Sequence, residues 1–211
     1  MIYLDNGATS FPKPRQVTDA VMEAMTQYCA NPGRSSHFLA ARTAQEIYKT
    51  RTALALLLGL EDAGRIVFTK NGTEALNLAL KGILRPGDHV ITSSMEHNAV
   101  LRPLKQLEAS GVEVTILPCD REGRLKPHQI RHAIRPETRM IVLTAASNVT
   151  GTLMPLEEVG RMALRRGILF CVDGAQGAGH MVIDAKAQHI DLLAAPGHKG
   201  LLGPQGTGFL Y

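Results

Sequence analysis

The sequence predicts an α/β fold in three layers, a mostly parallel, seven-stranded sheet with helices on both faces. Three observations predict it. Seven short, apolar, β-rich runs recur from residue 65 to the end of the chain. Amphipathic stretches of helical period separate most of them. Pro86-Gly87, Gly111, Gly151 and Gly167 punctuate the boundaries, as helix stops and turns require. Strands separated by helices cannot pair as hairpins, so their sheet must be mainly parallel.

The first sixty or so residues are helical. Pro14 suits the N1 position of a helix running through Tyr28, and a longer helix is predicted over Phe38 to Leu58. The polar segment Asn31-Pro32-Gly33-Arg34-Ser35-Ser36-His37 turns between them. Strands are then predicted at Arg65–Thr69, His89–Ser94, Glu113–Leu117, Met140–Ala145, Leu169–Asp173, Asp191–Ala195 and Thr207–Tyr211. Helices fall near Thr73–Leu84, Ala99–Ser110, Lys126–Ile134 and Pro155–Arg166. Residues 1–211 read as one domain, without repeats or low-complexity tracts.

Composition removes several function classes. The chain is 45% hydrophobic, 20% charged and 4% aromatic over 211 residues, near the globular average. Its 23 basic and 19 acidic residues leave a net charge of +4, and the cations are scattered. The densest group, Arg161 to Arg166, alternates with apolar residues as on an amphipathic helix, so no nucleic-acid partner is expected. The longest apolar run, Ala53 to Leu58, is far short of the roughly 18 residues of a membrane span. No cationic segment precedes an apolar stretch at the N-terminus, and the three cysteines are widely separated, which predicts a reducing cytoplasm. No metal site is expected. His128 and His132 stand four apart but lack the glutamate of a metalloprotease. Gly203-Pro204-Gln205-Gly206-Thr207-Gly208 has the wrong order for a dinucleotide fingerprint, and no P-loop is present.

Parallel sheets place ligand sites beyond the carboxyl ends of their strands. There the chain carries Asn71-Gly72-Thr73-Glu74 at a helix start, Glu96-His97-Asn98, Ser147-Asn148-Val149-Thr150-Gly151, Asp173-Gly174-Ala175-Gln176, and Gly197-His198-Lys199-Gly200. Singly these are a helix cap, a structural histidine, a turn, a carboxylate at risk of burial and a solvated lysine. Jointly they are what pyridoxal phosphate demands: an amine for a Schiff base, an acid for the pyridinium nitrogen, an anion cradle and a plate for the ring.

With Tyr3-Leu4-Asp5-Asn6-Gly7-Ala8-Thr9, Asn31 to His37, Asn71 to Asn77, Ala146 to Gly151, Val172 to Gln176 and Gly197 to Gly200, the chain resembles class V aminotransferase-fold proteins of the cysteine desulfurase-like group. The resemblance implies the large domain of fold type I (the aspartate aminotransferase fold), with pyridoxal 5'-phosphate as cofactor. Lys199 is then the Schiff-base lysine, and Asp173 pairs with the ring nitrogen. Gln176 bonds the ring hydroxyl, and His97 stacks on the ring. Gly72, Thr73 and His198 hold the phosphate, and Asn148 meets the cofactor or the substrate carboxylate. The implied reaction cleaves the C–S bond of cysteine, leaving alanine and a transferable persulfide sulfur. Other class V chemistry (transamination, selenocysteine lyase or a related lyase) and an inactive cofactor-domain fragment are the alternatives. A homodimer and a sulfur-acceptor protein are the implied partners, and no membrane is among them.

Two departures accompany the resemblance. Where the family carries Ser-x-His-Lys this chain has Pro196-Gly197-His198-Lys199, and proline offers neither hydroxyl nor N–H to a phosphate. The C-terminal small domain, with its acceptor cysteine and carboxylate-binding arginine, is expected to be absent. Cys29, Cys119 and Cys171 are not expected to replace that nucleophile, because reactive thiols need exposure and an electropositive setting.

Overall fold

Seven apolar runs lie side by side in a single sheet. The computed structural model describes residues 2–33 and 36–211. Its strands are β1 (Val67–Thr69), β2 (His89–Ser93), β3 (Glu113–Leu117), β4 (Thr138–Thr144), β5 (Leu169–Asp173), β6 (Leu192–Pro196) and β7 (Gly208–Leu210). They run in the spatial order β1-β7-β6-β5-β4-β2-β3. From β3 through β6 every pairing is parallel, and β7 is antiparallel to both β6 and β1. No helix intervenes between β6 and β7, so the chain turns straight back.

Helices α3 (Gly72–Ile83) and α4 (Asn98–Glu108) cover one face of the sheet; α2 (Phe38–Leu57), α5 (Pro127–Ala133) and α6 (Leu156–Arg166) cover the other. Alternation along the central strands decides which side chain faces which layer. Ile141, Leu143, Phe170, Val172 and Leu193 pack with Ala55, Ile130, Val159 and Met162. Met140, Val142, Cys171 and Ala194 pack with Leu76, Leu80, Val100 and Leu104. Strands buried on both faces read as continuous apolar runs, which is how β4 and β5 look in the sequence. Each such leucine or phenylalanine contributes about 1.5–3 kcal/mol of burial energy.

The helix ends follow local chemistry. The Asn71 carboxamide accepts from the Glu74 N–H at 2.8 Å and starts α3. The His37 ring accepts from the Ala40 N–H at 3.2 Å and starts α2. Helix α6 has Glu157 and Glu158 in its first turn and Arg165 and Arg166 in its last, matching its dipole, and ends on left-handed Gly167. Most boundaries shift from expectation by one or two residues, and those before β1 differ for local reasons. Pro14 precedes the first helical residue, so α1 is Arg15–Glu23, and the remainder to Tyr28 widens into a π-helical turn. Arg65 belongs to a 3-10 turn before β1. Within the Asn31–His37 segment, Arg34 and Ser35 lie outside the described residues. Among the described residues no helix is long and apolar enough to cross a membrane.

Candidate active site

Between β2 and β4 the chain reverses its direction of travel across the sheet, with β3 outside β2 and β4 returning on its inner side. Such a switch point opens a crevice at the carboxyl ends. Consistent with this, the β2–β4 register ends at Ile91 and Ile141, although both strands continue. A cavity of about 210 Å3 lies at this end, and Gly72, Thr73, His97, Asn148, Asp173, Gln176, His198 and Lys199 all line it. All eight site residues expected from the sequence therefore share one enclosure. A larger hollow of about 650 Å3, bordered by Leu60, Lys186 and Tyr211, contains none of them.

The α3 N-terminus forms one wall. Because Asn71 supplies the cap, the Thr73 side chain is not spent on it, and the first-turn N–H groups of a helix have no partner within the helix. Gly72 lets this turn approach β6: a Cβ there would stand 3.1 Å from Cδ of Pro196. The proline that departs from the family pattern thus packs its ring against the cradle.

His97 is both a cap and a cavity residue. Its Nδ1 accepts from the Ala99 N–H at 3.1 Å at the start of α4, which fixes the ring by one nitrogen. Asn148 is exposed in a turn held by Ser147 Oγ, which accepts from the Val149 and Thr150 N–H groups at 3.2 and 3.3 Å. The Gln176 amide donates to the Gly7 carbonyl at 3.0 Å.

Asp173 ends β5 with 2% of its surface exposed, and one carboxylate oxygen accepts from the Ala175 N–H at 2.9 Å. Burial raises its pKa; the Ala175 N–H, His97 and Lys199 pull it back. Lys199 is half-buried, and burial lowers its pKa against the opposing field of Asp173. Acid and amine therefore lie within each other's field across the cavity. His198 also has a lowered pKa, from burial and then from the charges of Lys199 and Lys13.

The role of the N-terminal segment was not legible from the sequence beyond its Tyr3–Thr9 motif. The His198 carbonyl accepts from Lys13 Nζ at 2.8 Å, Ser10 Oγ at 3.0 Å, and Thr9 Oγ1 and the Ser10 N–H at 3.1 Å each. Thr9 Oγ1 also meets His198 Nδ1 at 3.0 Å. The segment straps down the residue next to Lys199. Cys171 is buried among apolar neighbours, and burial pushes its thiol pKa upward; Cys119 is half-buried and Cys29 exposed.

The sequence model of a family described as aminotransferase class-V matches residues 2–211. The chain belongs to that family. A probable cysteine desulfurase of Methanothermobacter thermautotrophicus is 39% identical over the whole chain, which covers 52% of that protein. The cysteine desulfurase IscS of Methanosarcina thermophila is 41% identical, again with 52% of its length covered. The apo structure of a cysteine desulfurase from Thermococcus onnurineus NA1 matches the whole chain with a TM-score of 0.93 at 36% identity, over 53% of its own length. A structure of SspA in complex with cysteine matches equally well, at 0.93 and 33% identity, over 61% of that chain. This class-V chain spans about half the length of the curated relatives it matches.

Proposed function

We propose that this chain is the cofactor-binding domain of a pyridoxal 5'-phosphate-dependent cysteine desulfurase. One observation carries the reading: a lysine, a buried acid, an imidazole and a helix N-terminus, contributed by separate loops, line one cavity at the switch point of the sheet. Membership in the class-V family and the likeness to cysteine desulfurases support it. The donor set fits this cofactor: the α3 N-terminus with Thr73, together with His198, suits a phosphate dianion, Asp173 suits a protonated pyridine nitrogen, and Lys199 suits an aldehyde.

When bound, the cofactor would supply the electron sink that stabilises negative charge at the substrate's α-carbon. The chain's own residues do the remainder. Lys199, its pKa lowered by burial, releases its proton more readily than a solvated lysine and so offers a nucleophilic amine and a base. Asp173 would hold a proton on the ring nitrogen through its anionic form, which the Ala175 N–H and the charge of Lys199 favour. His97, tethered by Nδ1, would stack on the ring, Gln176 would hydrogen-bond the ring hydroxyl, and Asn148 would contact the cofactor or the substrate carboxylate. Exposed apolar side chains on α2 and the π-helical turn, among them Met25, Phe38 and Tyr48, support association into a homodimer.

The test is to add pyridoxal 5'-phosphate and cysteine to the chain. With dithiothreitol present to accept the sulfur and reduce it to sulfide, the expected results are a visible absorbance band fixed onto Lys199 by borohydride, alanine and sulfide as products, and a dimeric mass by light scattering. Lys199→Ala should remove the band and lower turnover by at least about a thousandfold, a loss of roughly 4 kcal/mol of transition-state stabilisation. A wild-type chain that forms no band, or a band that survives Lys199→Ala, overturns the assignment.

A further inference from the structure

Glu96, between Ser93 at the end of β2 and His97, has no part in the reaction described above, yet it is among the few buried charged residues, with 7% of its surface exposed. One carboxyl oxygen, Oε1, accepts from Ser93 Oγ at 2.6 Å, and the same hydroxyl oxygen accepts from the Met95 N–H at 3.2 Å. The other, Oε2, is buried without a hydrogen-bond partner among the described residues. The carboxyl sits where the β2–β4 register has ended, and Thr144, the last residue of β4, is paired in register with Asp173. An ionised carboxylate with one oxygen unsatisfied in such a place is very costly, and a second carboxylate within its field raises that cost.

We infer that Glu96 is the proton-bearing member of a buried carboxyl pair with Asp173, a positioning residue that leaves Asp173 as the single anion behind the cavity. Burial pushes the Glu96 pKa up to about 8; Ser93 and the backbone of Thr144 oppose the rise, and the Asp173 charge adds to it. The titratable groups facing it are Asp173 and Cys171 on β5, with His97 next to it in the chain. Cys171 stays a neutral thiol because its own pKa is pushed far upward. With its proton in place, Glu96 neither repels Asp173 nor competes with it for the Lys199 ammonium. Its consequence for the reaction rests on the pyridoxal-phosphate reading of the cavity; the proton itself does not.

The test compares urea unfolding of the cofactor-free wild type and Glu96→Gln from pH 5 to 9. A folded-state pKa raised above that of the unfolded chain holds one extra proton, so stability falls as pH rises between the two values. The wild-type folding equilibrium constant should therefore fall about tenfold per pH unit relative to Glu96→Gln up to about pH 8, then level off. In an Asp173→Asn background the break should move to lower pH. A merely structural glutamate would give a pH-independent offset. A flat difference across the range, or a break that Asp173→Asn leaves in place, overturns the assignment. Should Glu96→Gln fail to fold, carbon-13 NMR of glutamate-labelled wild type decides: a protonated Glu96 carboxyl at pH 6.5 supports the pair, and an ionised one overturns it.

Discussion

The carbonyl of His198 accepts from two hydroxyls, a backbone N–H and an ammonium, all from Thr9, Ser10 and Lys13. Each such bond restrains the peptide next to Lys199, and a bond to a charged donor contributes about 1.5–3 kcal/mol. Lys13→Met should therefore weaken pyridoxal 5'-phosphate binding about tenfold, the equivalent of 1.4 kcal/mol, while leaving secondary structure unchanged; a fluorescence titration with the cofactor measures it. Unchanged affinity would show that the strap does not position the lysine loop. Gly200 serves the same loop sterically, since a Cβ there would run into the Ala178 carbonyl. Lys199 and Asp173 were legible as residue types placed at or just past the ends of apolar strands. The strap was not, because its partner is a backbone carbonyl more than 180 positions away, and a carbonyl carries no sequence signature.

At the scale of elements, β2 is tied to both neighbours by a buried side chain. His89 meets Thr138 Oγ1 through Nδ1 and Thr115 Oγ1 through Nε2, each at 2.8 Å. Burial and then Arg135 lower its pKa, while Glu113 and Glu137 act the other way. A folded-state pKa below the ordinary 6.5 means the unfolded chain takes up the proton first, so stability is lost as pH falls below about 6.5. Relative to His89→Gln, the wild type should lose urea stability as pH falls from 6.5 to 5.5; an identical pH profile in both proteins would refute the role. The strands and four later helices were legible because apolar period and glycine punctuation are local properties. The N-terminal boundaries were less so. Pro14 fits both the position before a helix and the first position within it, and the π-helical turn leaves no mark in the pattern of apolar residues.

Over the whole molecule, two apolar cores share one sheet, and only alternation along each strand assigns a residue to one or the other. Phe170 is fully buried in the α2–α5–α6 core, where Gly160 of α6 comes so close to the Gln188 carbonyl that a Cβ would overlap it. Phe170→Ala should cost about 3–5 kcal/mol by urea denaturation. Because the site lies at the carboxyl ends of the strands rather than within this core, cofactor affinity should change far less than stability; a parallel collapse of both would show that the layers are not separable. The sequence by itself determined the three-layer α/β class and the seven strands, since burial period is written in neighbouring residues, and it offered eight candidate side chains that share one cavity. Tertiary structure alone decided the antiparallel edge, the strap over His198 and the burial of the Glu96 carboxyl. Each of these depends on which distant segments become neighbours, and that is settled only when the sheet has taken its strand order and closed its two cores.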